Sequence, residues 1–171
     1  MEVEQLLRTP EPYRFAIRFL LATGCRWAEA CRALRTDVTA DGWLVVQHRT
    51  KNRRVRRVPL GKEILTEIMA RKGRLLEPFL EESPGLFSRA VHRKTKVKRF
   101  GPQRLKDTFA CRFLSAGGNI IALQLILGHQ DPKTTQRYGK PSDDFIRSEM
   151  EKTRPGRESV AISVAAAFDA T

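Results

Sequence analysis

The sequence predicts a mainly α-helical domain that contains one small antiparallel β-hairpin. Apolar residues recur at helical spacing through most of the 171 residues. A single pair of short apolar segments, residues 43–46 and 54–60, flanks a turn-like cluster at residues 50–53 and has the pattern of a hairpin. The length suits one domain with a hydrophobic core, or one domain plus a tail.

Helices are predicted on both sides of the hairpin. The first, residues 11–24, carries Phe15 and Phe19 on an apolar face, and Gly24 suits the position just past its end. Gly128 ends a later helix in the same way, and Asp131 with Pro132 has the pattern of a helix start. Residues 82–85 are predicted as a loop and residues 90–99 as a strongly basic stretch. The other predicted helices are residues 26–34, 62–72, a run from Pro102 with Leu105, Phe109 and Phe113 on one face, residues 120–127, 132–138 and 142–152.

The charge of the chain indicates a polyanionic partner. There are 32 Lys and Arg residues against 19 Asp and Glu, which gives a formal net charge of +13 and a pI near 10.4. Nucleic acid is the leading candidate. No apolar segment is long enough to span a bilayer, so a membrane protein is not expected. The three cysteines are interpreted as reduced residues of a cytoplasmic protein, and no zinc-binding pattern is visible.

Five short motifs follow one another in an order that carries the strongest functional signal. The five motifs are Thr23-Gly24-Cys25-Arg26-Trp27-Ala28-Glu29, Thr50-Lys51 with Val58-Pro59-Leu60, Gln103-Arg104-Leu105-Lys106-Asp107-Thr108-Phe109-Ala110, Leu127-Gly128-His129, and Thr134-Thr135-Gln136-Arg137-Tyr138. In these motifs and their order, the sequence resembles the catalytic domain of the tyrosine recombinase, or phage integrase, family over roughly residues 10–150. The resemblance implies that family's fold and its activity: site-specific cutting and rejoining of DNA.

The resemblance implies a role for one residue of each intact motif. Tyr138 would attack the scissile phosphate and form a 3′-phosphotyrosyl link. Lys51 would protonate the departing 5′ oxygen, with Arg49 and Arg53 as rival candidates. Arg26, supported by Glu29, would grip a phosphate oxygen, and His129 would donate a hydrogen bond to it. No metal or other cofactor is implied, because side chains supply the cations.

The third motif departs from the family pattern, which is His-x-x-Arg. In the matching register Gln103 stands at the histidine position and Lys106 at the arginine position. Gln103 can hydrogen-bond a phosphate but cannot transfer a proton, and Lys106 keeps the charge without the two-pronged guanidinium. The sequence therefore leaves two functions open: an active recombinase, or a catalytically weakened or inactive DNA-binding relative. A third hypothesis, a basic ribosomal or RNA-binding protein, is disfavoured by the five motifs in their order.

The domain organisation follows from the same resemblance. Residues 1–153 are expected to form the catalytic domain, and residues 154–171 a tail that docks in cis or on a neighbouring protomer. The helical DNA-clamping domain that usually precedes the catalytic domain is expected to be absent. The expected partner is double-stranded DNA, and the expected location is the cytoplasm. The full-length protein is expected to form a homo-tetramer on DNA, and the isolated domain is expected to be a monomer. Candidates for contacts with the DNA backbone are Arg49, Arg53, Arg93, Lys94, Lys96, Lys98, Arg99 and Arg104.

Overall fold

The computed structural model describes residues 3–47, 55–80, 82–129, 131–136, 138 and 147. The chain divides into two units, residues 1–139 and 140–171. Of the second unit only Arg147 is described, and it is helical and exposed. The predicted helix at residues 142–152, the tail and the domain boundary near residue 153 lie outside the described residues and stay predictions.

The first unit is mostly helical, as the sequence predicts. Within the described residues, the strands form one two-stranded antiparallel sheet, in which Trp43 lies opposite Pro59. Two 3₁₀ turns, Arg35–Asp37 and Glu77–Phe79, join longer elements. None of the helices in the described part of the chain has the length and apolar character needed to cross a membrane. In chain order the elements are α1 (Val3–Leu7), α2 (Tyr13–Thr23), α3 (Trp27–Arg32), β1 (Trp43–Gln47), β2 (Val55–Pro59), α4 (Lys62–Met69), α5 (Pro84–Thr95), α6 (Pro102–Ser115), α7 (Ile120–Leu127) and α8 (Pro132–Gln136).

The core forms where α2, α6 and the hairpin meet. Helix α2 is buried along most of its length and packs chiefly on α6. The hairpin turns one face toward this core, since Leu44, Val46 and Val58 are buried. Because side chains alternate along a strand, Arg56 lies on the same buried face as Val58. The fold therefore carries an arginine into its interior from β2.

Gly24 ends α2 at the point where the first motif packs against α6 and α7. Its φ of 61° is left-handed, which favours glycine. A Cβ there would lie 2.6 Å from Phe109 Cδ1 on α6 and 2.8 Å from Leu127 Cδ2 on α7. The absence of a side chain thus lets residues 24–26 pack directly against the two helices that carry the third and fourth motifs.

The sequence prediction is wrong in two places. The helix predicted at residues 62–72 ends at Met69. Residues 82–85 are not all loop, because α5 begins at Pro84 and continues through half of the basic stretch to Thr95. Ser83 caps this helix, accepting a hydrogen bond from Leu86 N at 3.2 Å, and a proline is tolerated in the first helical turn. Ser83 and Pro84 therefore start a helix.

Candidate active site

The first motif is organised by a buried carboxylate, Glu29. Arg26 caps α3, and its backbone N–H donates to Glu29 Oε2 at 2.8 Å. The Arg26 side chain also donates to Glu29 Oε1 at 3.2 Å and keeps 44% of its surface exposed. Arg56, from β2, holds both oxygens in a fork, with Nη1 at 3.1 Å from Oε1 and Nη2 at 2.8 Å from Oε2. Glu29 thus lies behind Arg26 and leaves its guanidinium facing outward.

Arg56 ties the first motif to the fourth. Its Nε donates to the carbonyl oxygen of Ile126 at 2.7 Å, near the end of α7. Its side chain is 6% exposed, and Glu29 is 9% exposed, so the ion pair is shielded from water. The Arg56 guanidinium therefore links β2 to α3, which contains part of the first motif, and to α7, which leads into the fourth.

Burial and charge pull the pKa of Glu29 in opposite directions. Burial alone raises the pKa of this carboxyl, but the hydrogen bonds and positive charge of Arg56, assisted by Arg26, lower it further than burial raises it. The net pKa lies below the ordinary value of 4.5. Burial raises the pKa of the neighbouring Cys25 thiol despite the opposing charges of Arg56 and Lys106. Glu29 is therefore an anion at neutral pH, and Cys25 is an unreactive thiol.

Lys106 and His129 form a buried polar pair. Lys106 is 3% exposed and His129 8%, and Lys106 Nζ lies 3.1 Å from His129 Nε2. With the Lys106 ammonium as donor, Nε2 must accept, so the ring proton is assigned to Nδ1. Nδ1 then donates to Thr135 Oγ1 at 2.8 Å. Donation from Nε2 to a phosphate would accordingly require a proton on Nε2, through a second ring proton or a change of tautomer, and a displacement of Lys106.

Tyr138 lies beside this pair and is held by a carboxylate. Its ring is nearly parallel to that of His129, with an interplanar angle of 15° and centroids 6.4 Å apart. The Tyr138 hydroxyl donates to Asp107 Oδ1 at 2.8 Å, and Gln103 Nε2 donates to the same oxygen at 3.0 Å. The side chains of α6 and the tyrosine thus form a second hydrogen-bonded group next to the Lys106–His129 pair.

The structure brings together four of the six residues predicted for catalysis: Gln103, Lys106, His129 and Tyr138. Arg26 belongs to the adjoining Glu29 group. The two groups lie on adjoining elements, since Gly24, two residues before Arg26, packs against Phe109 of α6 and Leu127 of α7. Lys51 and its rivals Arg49 and Arg53 lie outside the described residues.

The predicted backbone-contact residues divide between several places. Three of them, Arg93, Lys98 and Arg99, line an open groove of about 650 Å³ along α5, together with Arg89 and His92. The other three described candidates lie elsewhere: the Lys94 ammonium is 5.3 Å from the centre of the Tyr13 ring, Lys96 ends α5 in a left-handed conformation, and Arg104 is exposed on α6.

Sequence reasoning missed three residues of the site. Arg56 was identifiable, because strand alternation puts it on the same face as Val58. Thr135 stood within the fifth motif but was given no role. Asp107 also stood within a motif, yet its contact with Tyr138 spans 31 residues of chain and has no local sequence signal. Among the described residues no cluster of three or more His, Cys, Asp or Glu side chains could hold a metal ion.

Comparison with known proteins shows the family of this chain. The model of the phage integrase family matches residues 1–144, and the chain belongs to that family. The integrase of Escherichia phage 186 is 37% identical over 134 residues, which are 76% of this chain and 38% of the relative. The tyrosine recombinase XerA of Thermococcus kodakarensis is 30% identical over 90% of this chain and 61% of its own length. The chain thus spans less than two thirds of these relatives.

Solved structures agree on the fold. The catalytic domain of bacteriophage HP1 integrase superimposes with a TM-score of 0.71 at 25% identity, covering 92% of both chains. The Tn1549 transposon integrase in complex with transposon right-end DNA gives a TM-score of 0.68 at 23% identity, over 87% of this chain and 63% of that one. The predicted fold, a tyrosine recombinase catalytic domain with a small antiparallel sheet, is confirmed.

Proposed function

We propose that this chain cuts and rejoins duplex DNA site-specifically, with Tyr138 as the nucleophile. The hydroxyl oxygen would attack the scissile phosphorus and form a 3′-phosphotyrosyl link, while a 5′ hydroxyl departs. Lys51 would give that hydroxyl its proton. Arg26, Lys106 and His129 would contact the non-bridging oxygens, with Gln103 at the margin of the site. No cofactor is needed for this step.

The proposal rests chiefly on the meeting of Tyr138 with Lys106 and His129. A tyrosine hydroxyl becomes a useful nucleophile toward a phosphate only where cations stabilise the charge that develops on the oxygens. Here the His129 imidazole stacks on the tyrosine ring and contacts the buried Lys106 ammonium, and the partly exposed Arg26 is a further candidate cation. The DNA complex of a structurally similar integrase supports DNA as the substrate.

A suicide substrate tests this proposal directly. A nicked duplex that releases a short strand after cleavage should trap the wild-type chain as a covalent protein–DNA adduct, resolved by denaturing gel electrophoresis. Tyr138→Phe should abolish the adduct, because it removes the attacking oxygen and keeps the ring. Tyr13→Phe is the matched control, since Tyr13 packs in the aromatic cluster on Phe79 and Phe87, and it should form adduct as the wild type does. An adduct that survives Tyr138→Phe would contradict the assignment.

The α5 groove is proposed as the contact with the phosphate backbone. Arg93→Ala should weaken binding of duplex DNA and reduce the slope of log affinity against log salt by about 0.9, since one fewer counterion is released. Arg14→Ala removes an equal charge from a side chain that pairs with Glu11 and should leave the slope unchanged. Fluorescence anisotropy over a salt series measures both variants, and equal slopes would remove Arg93 from the interface.

The second candidate function is DNA binding without cleavage. The observation in its favour is the third motif, because Gln103 cannot transfer a proton and Lys106 directs its ammonium at His129. Tight DNA binding with no adduct would support this candidate, and adduct formation in Gln103→His with Lys106→Arg would identify the third motif as the cause. Assembly as a tetramer on DNA, docking of the tail and a DNA-associated location in the cytoplasm remain parts of the proposal.

A further inference from the structure

The hydrogen bond between Tyr138 and Asp107 has a chemical use that the five motifs do not assign. Asp107 lies on α6, directly after Lys106 and one helical turn after Gln103. Its half-buried carboxylate accepts from Tyr138 at 2.8 Å and from Gln103 at 3.0 Å, both on Oδ1. The tyrosine hydroxyl proton therefore already points at a carboxylate oxygen whose position a second donor fixes.

Attack by the tyrosine requires a proton acceptor. A tyrosine hydroxyl has an unperturbed pKa near 10, so at neutral pH its proton must leave as the bond to phosphorus forms. The Gln103 amide cannot receive it. In the tautomer assigned above, the His129 ring nitrogens are engaged with Lys106 and Thr135. Asp107 Oδ1 is the atom to which the hydroxyl donates.

We infer, on the basis of the proposed function, that Asp107 is the general base for cleavage and that Gln103 positions it. As Tyr138 Oη bonds to phosphorus and the bond from phosphorus to the 5′ oxygen breaks, the Tyr138 proton passes to Asp107 Oδ1. The 5′ oxygen receives its proton from the general acid, assigned above to Lys51. In rejoining, the 5′ hydroxyl gives that proton back as it attacks, and Asp107 returns its proton to the departing tyrosine oxygen.

Electrostatics fit this direction of transfer. A carboxylate near a phosphate is repulsive while both carry negative charge. Protonation removes the charge of Asp107 at the moment when negative charge builds up on the phosphate oxygens. The cation of Lys106, the preceding residue, then acts on the phosphate without an opposing carboxylate beside it. Asp107 thus gives the third motif a proton acceptor, a role that Gln103 cannot fill.

Single-turnover cleavage of the nicked duplex by Asp107→Asn tests the inference. Asparagine keeps an oxygen that accepts from Tyr138 and Gln103 but cannot take a proton at neutral pH. We expect the rate of adduct formation to fall by about 10²- to 10⁴-fold, with DNA affinity and thermal melting like those of the wild type. Asp131→Asn is the matched control, since it removes one carboxylate and keeps a good helix cap for α8. Its rate should be that of the wild type.

A rescue experiment separates proton transfer from positioning. In Asp107→Ala, added formate should restore part of the rate, because a small carboxylate can enter the space left by the side chain and accept the proton. Sodium chloride at the same ionic strength should not restore it. A wild-type or higher rate in Asp107→Asn would overturn the inference, as would a slow Asp107→Asn variant with no recovery of Asp107→Ala by formate.

The same experiment distinguishes this inference from the proposed function. If the wild-type chain forms no adduct through Tyr138, the proposed function fails, and the inference fails with it. If the wild type forms the adduct and Asp107→Asn forms it equally fast, only the role of Asp107 is overturned.

Discussion

Replacing Arg56 with alanine should lower the free energy of unfolding by about 3–5 kcal/mol, the usual result of removing one partner from a buried ion pair. The variant leaves the Glu29 carboxylate inside the protein without the fork that holds both of its oxygens. It also removes the donor to the Ile126 carbonyl. Urea denaturation followed by circular dichroism measures the loss, at constant slope of free energy against denaturant.

Arg57→Ala is the matched control on the same strand. Arg57 is 53% exposed, contacts the ring of Trp43 and pairs weakly with Asp41 at 3.4 Å, so its loss should cost at most about 1 kcal/mol. Similar losses for Arg56→Ala and Arg57→Ala would contradict the structural role of the buried pair.

The same unfolding measurements, repeated at acidic pH, provide a second test of the Arg56–Glu29 pair. The folded state lowers the pKa of Glu29 below 4.5, so the ionised carboxylate contributes stability that is fully present above that value. This contribution is lost as the pH falls from 4.5 through the lower pKa of the folded state. Wild-type stability should therefore fall more steeply in this range than that of Arg56→Ala, where the main cause of the lowered pKa is absent.

Replacing Lys106 with methionine should reduce the rate of adduct formation by about 10²- to 10³-fold, the effect of losing one well-placed donor to a developing anion. Methionine has a similar length and suits a side chain that is 3% exposed, so the helix and its packing should persist. The substitution removes the cation and the donor to His129 Nε2. Single-turnover cleavage measures the change.

Lys106→Arg is the informative comparison for that variant. It keeps the charge and adds the planar fork that the family pattern has at this position, so it should retain the wild-type rate or exceed it. DNA affinity should be somewhat lower in Lys106→Met than in Lys106→Arg, because one proposed phosphate contact is lost while the backbone contacts proposed for α5 remain. An undiminished rate in Lys106→Met would remove Lys106 from the reaction.

Much of this architecture was predictable because its signals are local. Gly24 and Gly128 both end helices in the left-handed conformation expected of them. The apolar spacing on α6 placed Leu105 correctly in the core, whereas Phe109 and Phe113 are only half-buried and Lys106 is buried. Arg56 was missed for a physical reason: charge suggested an exposed strand residue, whereas the alternation of β2 dictates burial. The contact of Asp107 with Tyr138 arises only when α6 and the chain after α8 come together, and no spacing along the sequence encodes it.

The position of Arg56 also limits how this catalytic domain can be recombined with its relatives. The arginine on β2 is held by the Glu29 carboxylate of α3 and by a backbone carbonyl of α7, so β2 and α3 depend on each other's side chains, whereas α7 supplies an oxygen that any residue has. A chimaera that takes β2 from a parent without an equivalent arginine would leave the Glu29 carboxylate buried without its partner, even if all catalytic residues match. Crossover points for domain engineering in this chain should therefore keep α3 and β2 from a single parent.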